Sequence, residues 1–296
     1  MNRLQYLLLI PAVTVALVVG AYPILFSIIL SLSEFSITTP EIQVVGVQNY
    51  ISVLFGELAP VFWNSAGVTL LIVGGAVAVE LVVGIILGLA LFGNFRARSL
   101  FYSILVVPLA VAPIVLGILS SPNVIWDDIN TLLFYGTGLG ISIDLFQPAA
   151  FYSVIILADA WLWAPLIMLV TLAILQGIPK EHFEAAEIHG ASSWMTFRSV
   201  IFPSIIKSPV LGFVLTLRVI DAFKSFEIPF AWTFWLGQND LGSPVDTFSV
   251  LMWKLLTSSV YDFPLAAIAT IALISTAIIL VFAVFALRYT ARVYSD

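Results

Sequence analysis

Cysteine is absent from this 296-residue chain, which excludes disulfide bonds, thiol catalysis and thiolate metal sites. Charged residues are scarce at 9%, whereas a soluble domain carries about 25%. Histidine occurs only at His182 and His189, and no third ligand accompanies them, so we expect no metal site. The phosphate-binding pattern Gly-x4-Gly-Lys-Ser/Thr is also missing, so we expect no ATP hydrolysis by the chain itself.

Long hydrophobic runs take the place of the missing charge. Hydrophobic residues make up 61% of the chain, which leaves too little polar surface for a water-exposed globule, so we expect the bilayer to be the main solvent. A helix that spans a bilayer needs about 20 apolar residues. The sequence therefore predicts an all-α polytopic membrane protein with one transmembrane domain over residues 1–296. The six predicted spans are 4–33, 63–92, 99–121, 151–175, 208–232 and 264–287.

The cations are distributed unevenly between the two sides that these spans define. Eight lie on the side of the chain termini, Lys254 lies on the other side, and Arg218 and Lys224 lie within span five. Cytoplasmic loops carry an excess of Lys and Arg, so we predict a multi-pass protein of the cell membrane with both termini cytoplasmic. The eight are Arg3, Arg96, Arg98, Lys180, Arg198, Lys207, Arg288 and Arg292.

The longest polar interruption lies between spans four and five, from Ile178 to Pro203. Its pattern predicts two short helices joined by an elbow, with Gly190 in the left-handed conformation that ends the first helix. Ser192 or Ser193 can cap the second helix, which we expect to end or bend at Pro203. The cation distribution predicts that this segment is cytoplasmic.

The same segment carries a recognisable motif. Glu184-Ala185-Ala186, three residues, Gly190, nine residues and then Val200-Ile201-Phe202-Pro203 resembles the EAA loop of binding-protein-dependent ABC importer permeases. The family pattern ends Ile-x-Leu-Pro, so Val200 and Phe202 are conservative departures from it. Further stretches are similar to the carbohydrate branch of that family, typified by maltose and trehalose permeases. They are 22–31, 45–50, Glu80 with Gly84 and Gly88, 130–133 and 218–226.

The resemblance implies an ABC importer permease fold and a set of partners. The EAA loop, about residues 177–207, would contain a coupling helix that sits in a cleft of a cytoplasmic ATPase. The implied partners are two ATPase subunits that bind ATP and magnesium, a second homologous permease, an external sugar-binding protein and membrane lipid. No nucleic acid and no cofactor within this chain is implied. The residues assigned to ATPase coupling are Glu181, Glu184, Ala185, Ala186, His189, Gly190 and Pro203.

Span five contains charges, which are costly in a bilayer and need partners or a water-lined path. Four of them alternate in sign every three residues from Arg218 to Glu227, a spacing at which helix neighbours touch. They can line a sugar path beside aromatic rings, or they can pair with one another and with Glu80 and Asp159 to hold the bundle together. Both interpretations stay open. The candidate path residues are Arg218, Asp221, Lys224, Phe226, Glu227, Asp159, Trp161 and Trp163.

Two features of span two are predicted to be structural. Glu80 lies in the middle of the span, where a buried carboxyl group needs a hydrogen-bonding or ionic partner. Gly84-x-x-x-Gly88 permits two helices to approach closely.

The resemblance thus implies the transmembrane subunit of an ATP-driven sugar importer, and the sequence shows no catalytic residues of its own. A secondary transporter is the alternative, with Asp159, Asp221 or Glu227 as proton relays. An intramembrane enzyme is disfavoured because no nucleophile–base or metal-ligand set occurs among the spans.

Overall fold

The computed structural model describes residues 3–35, 43–136, 140, 142–145, 147–236, 240–257 and 265–295. Within them, four apolar helical stretches are long enough to cross a membrane, and two bent helix pairs bring the number to six. The prediction of an all-α, six-span protein is confirmed. The continuous stretches are Leu9–Ser31, Ala59–Phe92, Pro148–Gln176 and Leu265–Arg288; the bent pairs are Arg98–Ala110 with Pro113–Leu119 and Ser193–Ile206 with Pro209–Trp235.

In chain order the α-helices are α1 (Arg3–Ala16), α2 (Tyr22–Ser31), α3 (Gln48–Phe55), α4 (Ala59–Phe92), α5 (Arg98–Val106), α6 (Pro113–Leu119), α7 (Asp127–Thr131), α8 (Pro148–Gln176), α9 (Lys180–Ile188), α10 (Ser193–Thr196), α11 (Phe202–Ile206), α12 (Pro209–Phe223), α13 (Glu227–Trp235), α14 (Phe248–Thr257) and α15 (Leu265–Ser295). A 3₁₀ turn spans Val107–Ala110, and π-helical turns span Leu17–Ala21, Pro122–Trp126, Leu132–Gly136 and Phe197–Ile201. Two short strands, β1 (Ser33–Glu34) and β2 (Gln43–Val44), pair antiparallel.

The first span ends on a polar cap. Asn49 at the start of α3 donates to the carbonyl oxygens of Ser31 and Ser33, each at 2.9 Å. Tyr50 adds a 2.9 Å hydrogen bond between its hydroxyl and Ser31 Oγ. Asn49 therefore satisfies the Ser31 carbonyl group, which the helix end leaves without an intrahelical partner, and Tyr50 adds a side-chain bond at the same point.

Helices α4 and α8 form the centre of the bundle and approach closely at glycines. A Cβ atom on Gly84 would lie 2.5 Å from Ile167 Cβ, and one on Gly88 would lie 2.7 Å from Thr171 Cβ. No real side chain tolerates such distances, so only glycine allows this contact. The predicted packing role of the two glycines is confirmed.

Span three is not one straight helix. The segment Arg98–Ala110 and helix α6 are bent by 93° from each other. The break lies at Val111 and Ala112, whose backbones are extended, with ψ of 132° in both residues. Pro113 follows, and a proline disfavours the helical conformation in the residue before it.

Span five departs further from the predicted continuous helix over 208–232. It starts from α11, bends by 52° before Pro209, and is broken again between α12 and α13. The second break leaves backbone carbonyls without helical partners. Ser249 Oγ donates to the carbonyl oxygen of Lys224 at 3.3 Å, and Thr247 Oγ1 donates to that of Ser225 at 3.2 Å. Residues just before and within α14 therefore support the break.

The segment before α14 is fixed by a buried ion pair. Lys254 Nζ lies 2.6 Å from Asp246 Oδ1, and both side chains are almost fully buried. Asp246 Oδ2 also accepts from the backbone N–H groups of Gly242 and Ser243, each at 3.0 Å. Burial raises the pKa of the Asp246 carboxyl above its usual value, and Lys254 and the two N–H groups oppose that rise. Tyr152 in α8 ties the same segment to the bundle by donating to the Pro244 carbonyl oxygen at 2.6 Å.

Candidate functional site

Helix α9 ends as its sequence predicts. Gly190 has a φ of +68°, in the left-handed region. The N–H of Gly190 donates to the Glu187 carbonyl oxygen at 2.9 Å, and the N–H of Ala191 donates to that of Ala186 at 2.9 Å. This is the paired hydrogen-bond pattern that terminates many helices at a glycine. Ser192 then caps α10, because its Oγ accepts from the N–H of Met195 at 3.3 Å.

Helix α9 contacts the rest of the chain along one side only. Phe183 stacks on Phe92 at the end of α4, with ring centroids 6.2 Å apart, and Phe183 and Ala186 are half-buried. Ile188 lies on the opposite side and is 84% exposed. At 100° per residue, the exposed side comprises four residues, which we call the α9 outward face. They are Glu181, Glu184, Ala185 and Ile188.

The remaining coupling candidates lie around this face rather than on it. Ala186 is turned towards the bundle, and His189 is exposed at the C-terminal end of α9. Pro203 was expected to end or bend the second helix, and that expectation is wrong. Its helix continues to Ile206, because the π-helical turn before α11 leaves Pro203 in a first turn, where no N–H is needed. The bend follows at Lys207 and Ser208.

The charges of span five form a buried cluster around Arg218. The guanidinium binds Glu80 in α4 through two parallel hydrogen bonds, Nε to Oε2 and Nη2 to Oε1, both 2.8 Å long. Nη2 also donates to Asp159 in α8, and Nη1 donates to Asp221 Oδ2 at 3.1 Å. The guanidinium carbon lies 4.9 Å from the centre of the Trp163 ring. Arg218 is therefore bound on every side.

This Arg218 cluster joins three spans. Arg218, Glu80 and Asp159 are 3%, 0% and 6% exposed, and they come from α12, α4 and α8. Buried charges of this kind persist only when each has a partner. Of the two interpretations of the charges, pairing describes these three residues. Asp221 differs, because 57% of its side chain is exposed, so one arm of the cluster reaches the surface of the single chain.

Lys224, Phe226 and Glu227 do not belong to the cluster. They lie at the break between α12 and α13. Because the helix is interrupted there, the three-residue spacing no longer places Lys224 and Glu227 next to Arg218 and Asp221. Lys224 and Glu227 are exposed, and neither forms an ion pair among the residues that the structure describes. Phe226 is half-buried and stacks on Phe230, with centroids 4.5 Å apart.

The two candidate tryptophans point in different directions. Trp163 faces the Arg218 cluster, whereas Trp161 is 49% exposed and lies on the other side of α8. Trp161 lines an open, largely apolar groove of about 400 Å³ together with Leu116, Trp126 and Leu157. The structure therefore does not bring these two side chains to one site.

Two features escaped the sequence reasoning. The sequence places Lys254 on the side opposite the chain termini and gives no sign of its partner Asp246. Their separation of eight residues across the start of α14 gives no helical pairing signal. Ile188 was also overlooked, although an isoleucine in a polar loop beside Glu184 is a visible signal for a contact surface.

Comparison with known proteins now adds to this geometry. The sequence profile of the family described as "binding-protein-dependent transport system inner membrane component" matches residues 80–293. The chain belongs to this family. The match includes α9, the Arg218 cluster and the Asp246–Lys254 pair. The protein is therefore a multi-pass permease of the cell membrane, and its family is one of transport components rather than enzymes.

Relatives of the permease extend the similarity to most of its length. The trehalose/maltose transport system permease protein MalF of Thermococcus litoralis is 33% identical over 242 residues, covering 78% of this chain and 77% of its own. The arabinooligosaccharides transport system permease protein AraP of Bacillus subtilis is 30% identical over 229 residues, covering 75% and 69%.

Among solved structures, the permease fold matches a chain of a bacterial ABC transporter involved in the import of the acidic polysaccharide alginate. The TM-score is 0.76 at 20% identity, with 98% of this chain and 95% of the other covered. At that identity the likeness shows the fold, and it agrees with the expected ABC importer permease architecture.

Proposed function

We propose that this permease is the transmembrane subunit of an ATP-driven importer that moves a mono- or oligosaccharide into the cytoplasm. The proposal draws its cargo from the relatives, which are named for trehalose, maltose and arabinooligosaccharides. An ion-coupled secondary transporter is not favoured, because the family is defined by dependence on a binding protein. A structure of the alginate transporter in complex with a periplasmic protein supports an external sugar-binding protein as one partner.

The observation that carries the proposal is the α9 outward face. A helix with two carboxylates and an exposed isoleucine on one side has a surface that the described part of the chain leaves uncovered. Exposed apolar side chains within a polar segment mark contact surfaces. We infer that each of two permease subunits, this one and a homologous partner, inserts such a helix into one of two cytoplasmic ATPase subunits. ATP and magnesium would bind to those ATPases.

Movement of α9 would reach the membrane spans through short connections. Only three residues separate α9 from α8, and Phe183 stacks directly on Phe92 of α4. Closure of the ATPase dimer would therefore shift the ends of spans two and four together. We infer that this shift opens the bundle towards the binding protein. The Arg218 cluster would keep spans two, four and five together. The exposed residues Asp221, Lys224 and Glu227 would line the sugar path.

The orientation of the chain is part of the proposal. The excess of cations on the α9 side predicts that α9 and both termini are cytoplasmic. Because the chain has no cysteine, a single introduced cysteine reports its own side without background. A cysteine at Asp240 should react with an impermeant maleimide in intact cells, and one at Arg98 or Ser192 should react only after permeabilisation. The reverse pattern would contradict the orientation and the ATPase contact with it.

The function itself is tested by purification and by the energy source of uptake. Permease extracted in mild detergent should co-purify with an ATPase and a second permease. Uptake of radiolabelled trehalose or maltose into proteoliposomes that contain the complete complex should require ATP and the binding protein. It should continue when an uncoupler removes the proton gradient. Uptake that collapses with the uncoupler while ATP is maintained would favour the secondary transporter instead.

A further inference from the structure

A group of aromatic rings lies on span five beyond the helix break. Phe226, Phe230 and Phe234 are spaced four residues apart, which keeps them near one side of α13. The rings of Phe226 and Phe230 are 4.5 Å apart and inclined by 22°, and those of Phe230 and Phe234 are 5.0 Å apart and nearly perpendicular at 87°. Trp253 in α14 meets Phe230 at 4.5 Å and 79°. We call these four residues the aromatic stripe.

The aromatic stripe is partly open to its surroundings. Phe234 is 61% exposed, and the other three rings are half-buried. Each ring is held by at least one other ring at an ordinary stacked or edge-to-face distance, so the surface is preformed. Trp253 is also fixed by its helix, since the adjacent Lys254 is buried against Asp246.

Charged groups border the aromatic stripe. Glu227 and Lys224 lie at its inner end and are exposed, and no ion pair within the described ranges satisfies them. A charge within a span is costly against lipid chains and indicates a face towards water or another polar surface. The exposed side of α15 offers a contrast in span six. Around Phe285 its neighbours Val281 and Val284 are exposed and apolar, as a lipid contact requires.

This combination suits a carbohydrate. One face of a pyranose ring presents C–H groups, which pack against the negative face of an aromatic ring. The hydroxyl groups at its edge accept from an ammonium group and donate to a carboxylate, which Lys224 and Glu227 supply. A lipid chain would use the rings but would leave both charges without partners.

We propose that the aromatic stripe, with Lys224 and Glu227, is a carbohydrate-stacking site in the half of span five remote from α9. It would hold an incoming sugar ring before the sugar passes the helix break towards the Arg218 cluster. The proposal rests on the function and orientation proposed above. It assigns sugar contact to Phe230, Phe234 and Trp253, in addition to Phe226.

The first test measures transport by ring-deleted variants. Phe230→Ala, Phe234→Ala and Trp253→Ala should each lower the ATP-dependent uptake of trehalose or maltose at least fivefold, with rates normalised to assembled complex. Trp253→Phe, which keeps a ring, should retain most of the rate. Phe285→Ala is the matched control, an exposed phenylalanine on span six, and should transport like the wild type. Phe234→Ala is the variant least expected to misfold, because its ring is the most exposed of the four.

The second test locates the sugar directly. A diazirine-bearing trehalose, activated in the complete complex trapped with ATP and vanadate, should label peptides 226–235 and 248–257. Excess unmodified trehalose should suppress the labelling. Labelling confined to other peptides, or variants that match Phe285→Ala, would overturn the carbohydrate site while the wild type still imports sugar. A wild-type complex that imports neither sugar would refute the proposed function itself, so the two failures are distinct.

Discussion

Two charged regions of the permease differ in where their charges find partners. In the Arg218 cluster, one guanidinium is bound to carboxyl groups from α4, α8 and α12, and three of the four side chains are buried. On the α9 outward face, Glu181 and Glu184 are exposed and form no ion pair with any described residue. Each charge of the Arg218 cluster has an ionic partner within the chain, whereas the two carboxylates of the α9 outward face have none among the described residues.

The Arg218 cluster therefore stabilises the fold, whereas the α9 outward face is available to a partner protein. Desolvating a charge costs several kcal/mol, so the buried cluster persists only because its members compensate one another. The α9 carboxylates are solvated and cost the single chain little. Their neighbour Ile188 is 84% exposed, and burying it gains free energy only when another surface covers it. Changes in the cluster should therefore affect stability, and changes on α9 should affect assembly.

The largest effect is expected from Arg218→Met. The substitution removes the cation and leaves the carboxyl groups of Glu80 and Asp159 buried together without compensation. Breaking a buried ion pair in this way costs about 3–5 kcal/mol. The thermal unfolding temperature of the purified permease in detergent should fall markedly, and less protein should be recovered. A double variant that also carries Glu80→Met should recover part of the loss, and a single variant as stable as the wild type would contradict the structural role.

Substitution of Gly84 tests the packing of the same three-span core without changing charge. Gly84→Ala places a Cβ 2.5 Å from Ile167 Cβ and should destabilise by about 1–3 kcal/mol. Gly74→Ala lies in the same helix and meets nothing within 4 Å, so it should be neutral or stabilise by about 0.5–1 kcal/mol through better helix propensity. The unfolding curve of Gly84→Ala should shift to lower temperature, and that of Gly74→Ala should stay in place or shift to higher temperature. Equal shifts would mean that α4 and α8 do not approach as closely as described.

A smaller effect on stability is expected at the exposed arm of the cluster. Asp221→Asn removes a carboxylate that is 57% exposed, while Arg218 keeps its bonds to Glu80 and Asp159. Exposed ion pairs are worth about 0–1 kcal/mol, so the unfolding temperature should hardly change. Sugar uptake per assembled complex should nevertheless fall if Asp221 lines the path. Unchanged uptake would restrict the role of Asp221 to the cluster.

Much of the fold follows from the sequence because the bilayer imposes strong rules. The lengths of the apolar runs predict six spans. Gly190 and Ser192 predict the elbow after α9, because the hydrogen bonds that end one helix and cap the next are local. The path of span five could not be predicted in the same way. Its second break is held by Thr247 and Ser249 from a distant part of the chain, and no local pattern indicates that contact.

Sequence spacing indicates one contact of the Arg218 cluster but not the arrangement of the cluster. The spacing of Arg218 and Asp221 correctly indicates that they touch. Glu80 was one of the possible partners named from the sequence, but spacing cannot reveal that this residue, 138 positions away, binds the same guanidinium through two hydrogen bonds. The divergence of Trp161 and Trp163, in contrast, could have been predicted, because a separation of two residues turns side chains by about 200° on a helix. The coupling roles of the α9 residues stay predictions.

The most direct measurement compares two charge reversals of the same chemistry at opposite ends of the permease. Glu184→Lys changes the α9 outward face, and Glu57→Lys changes an exposed glutamate between α3 and α4. Both variants should have a free energy of unfolding within about 0.5 kcal/mol of the wild type, as is usual for surface substitutions. In the reconstituted complex, Glu184→Lys should lower the rate of ATP-dependent sugar uptake at least tenfold and should retain less ATPase on purification. Glu57→Lys should behave like the wild type in both measurements. Normal uptake and full ATPase retention by Glu184→Lys would show that α9 is not the surface through which ATP hydrolysis drives transport.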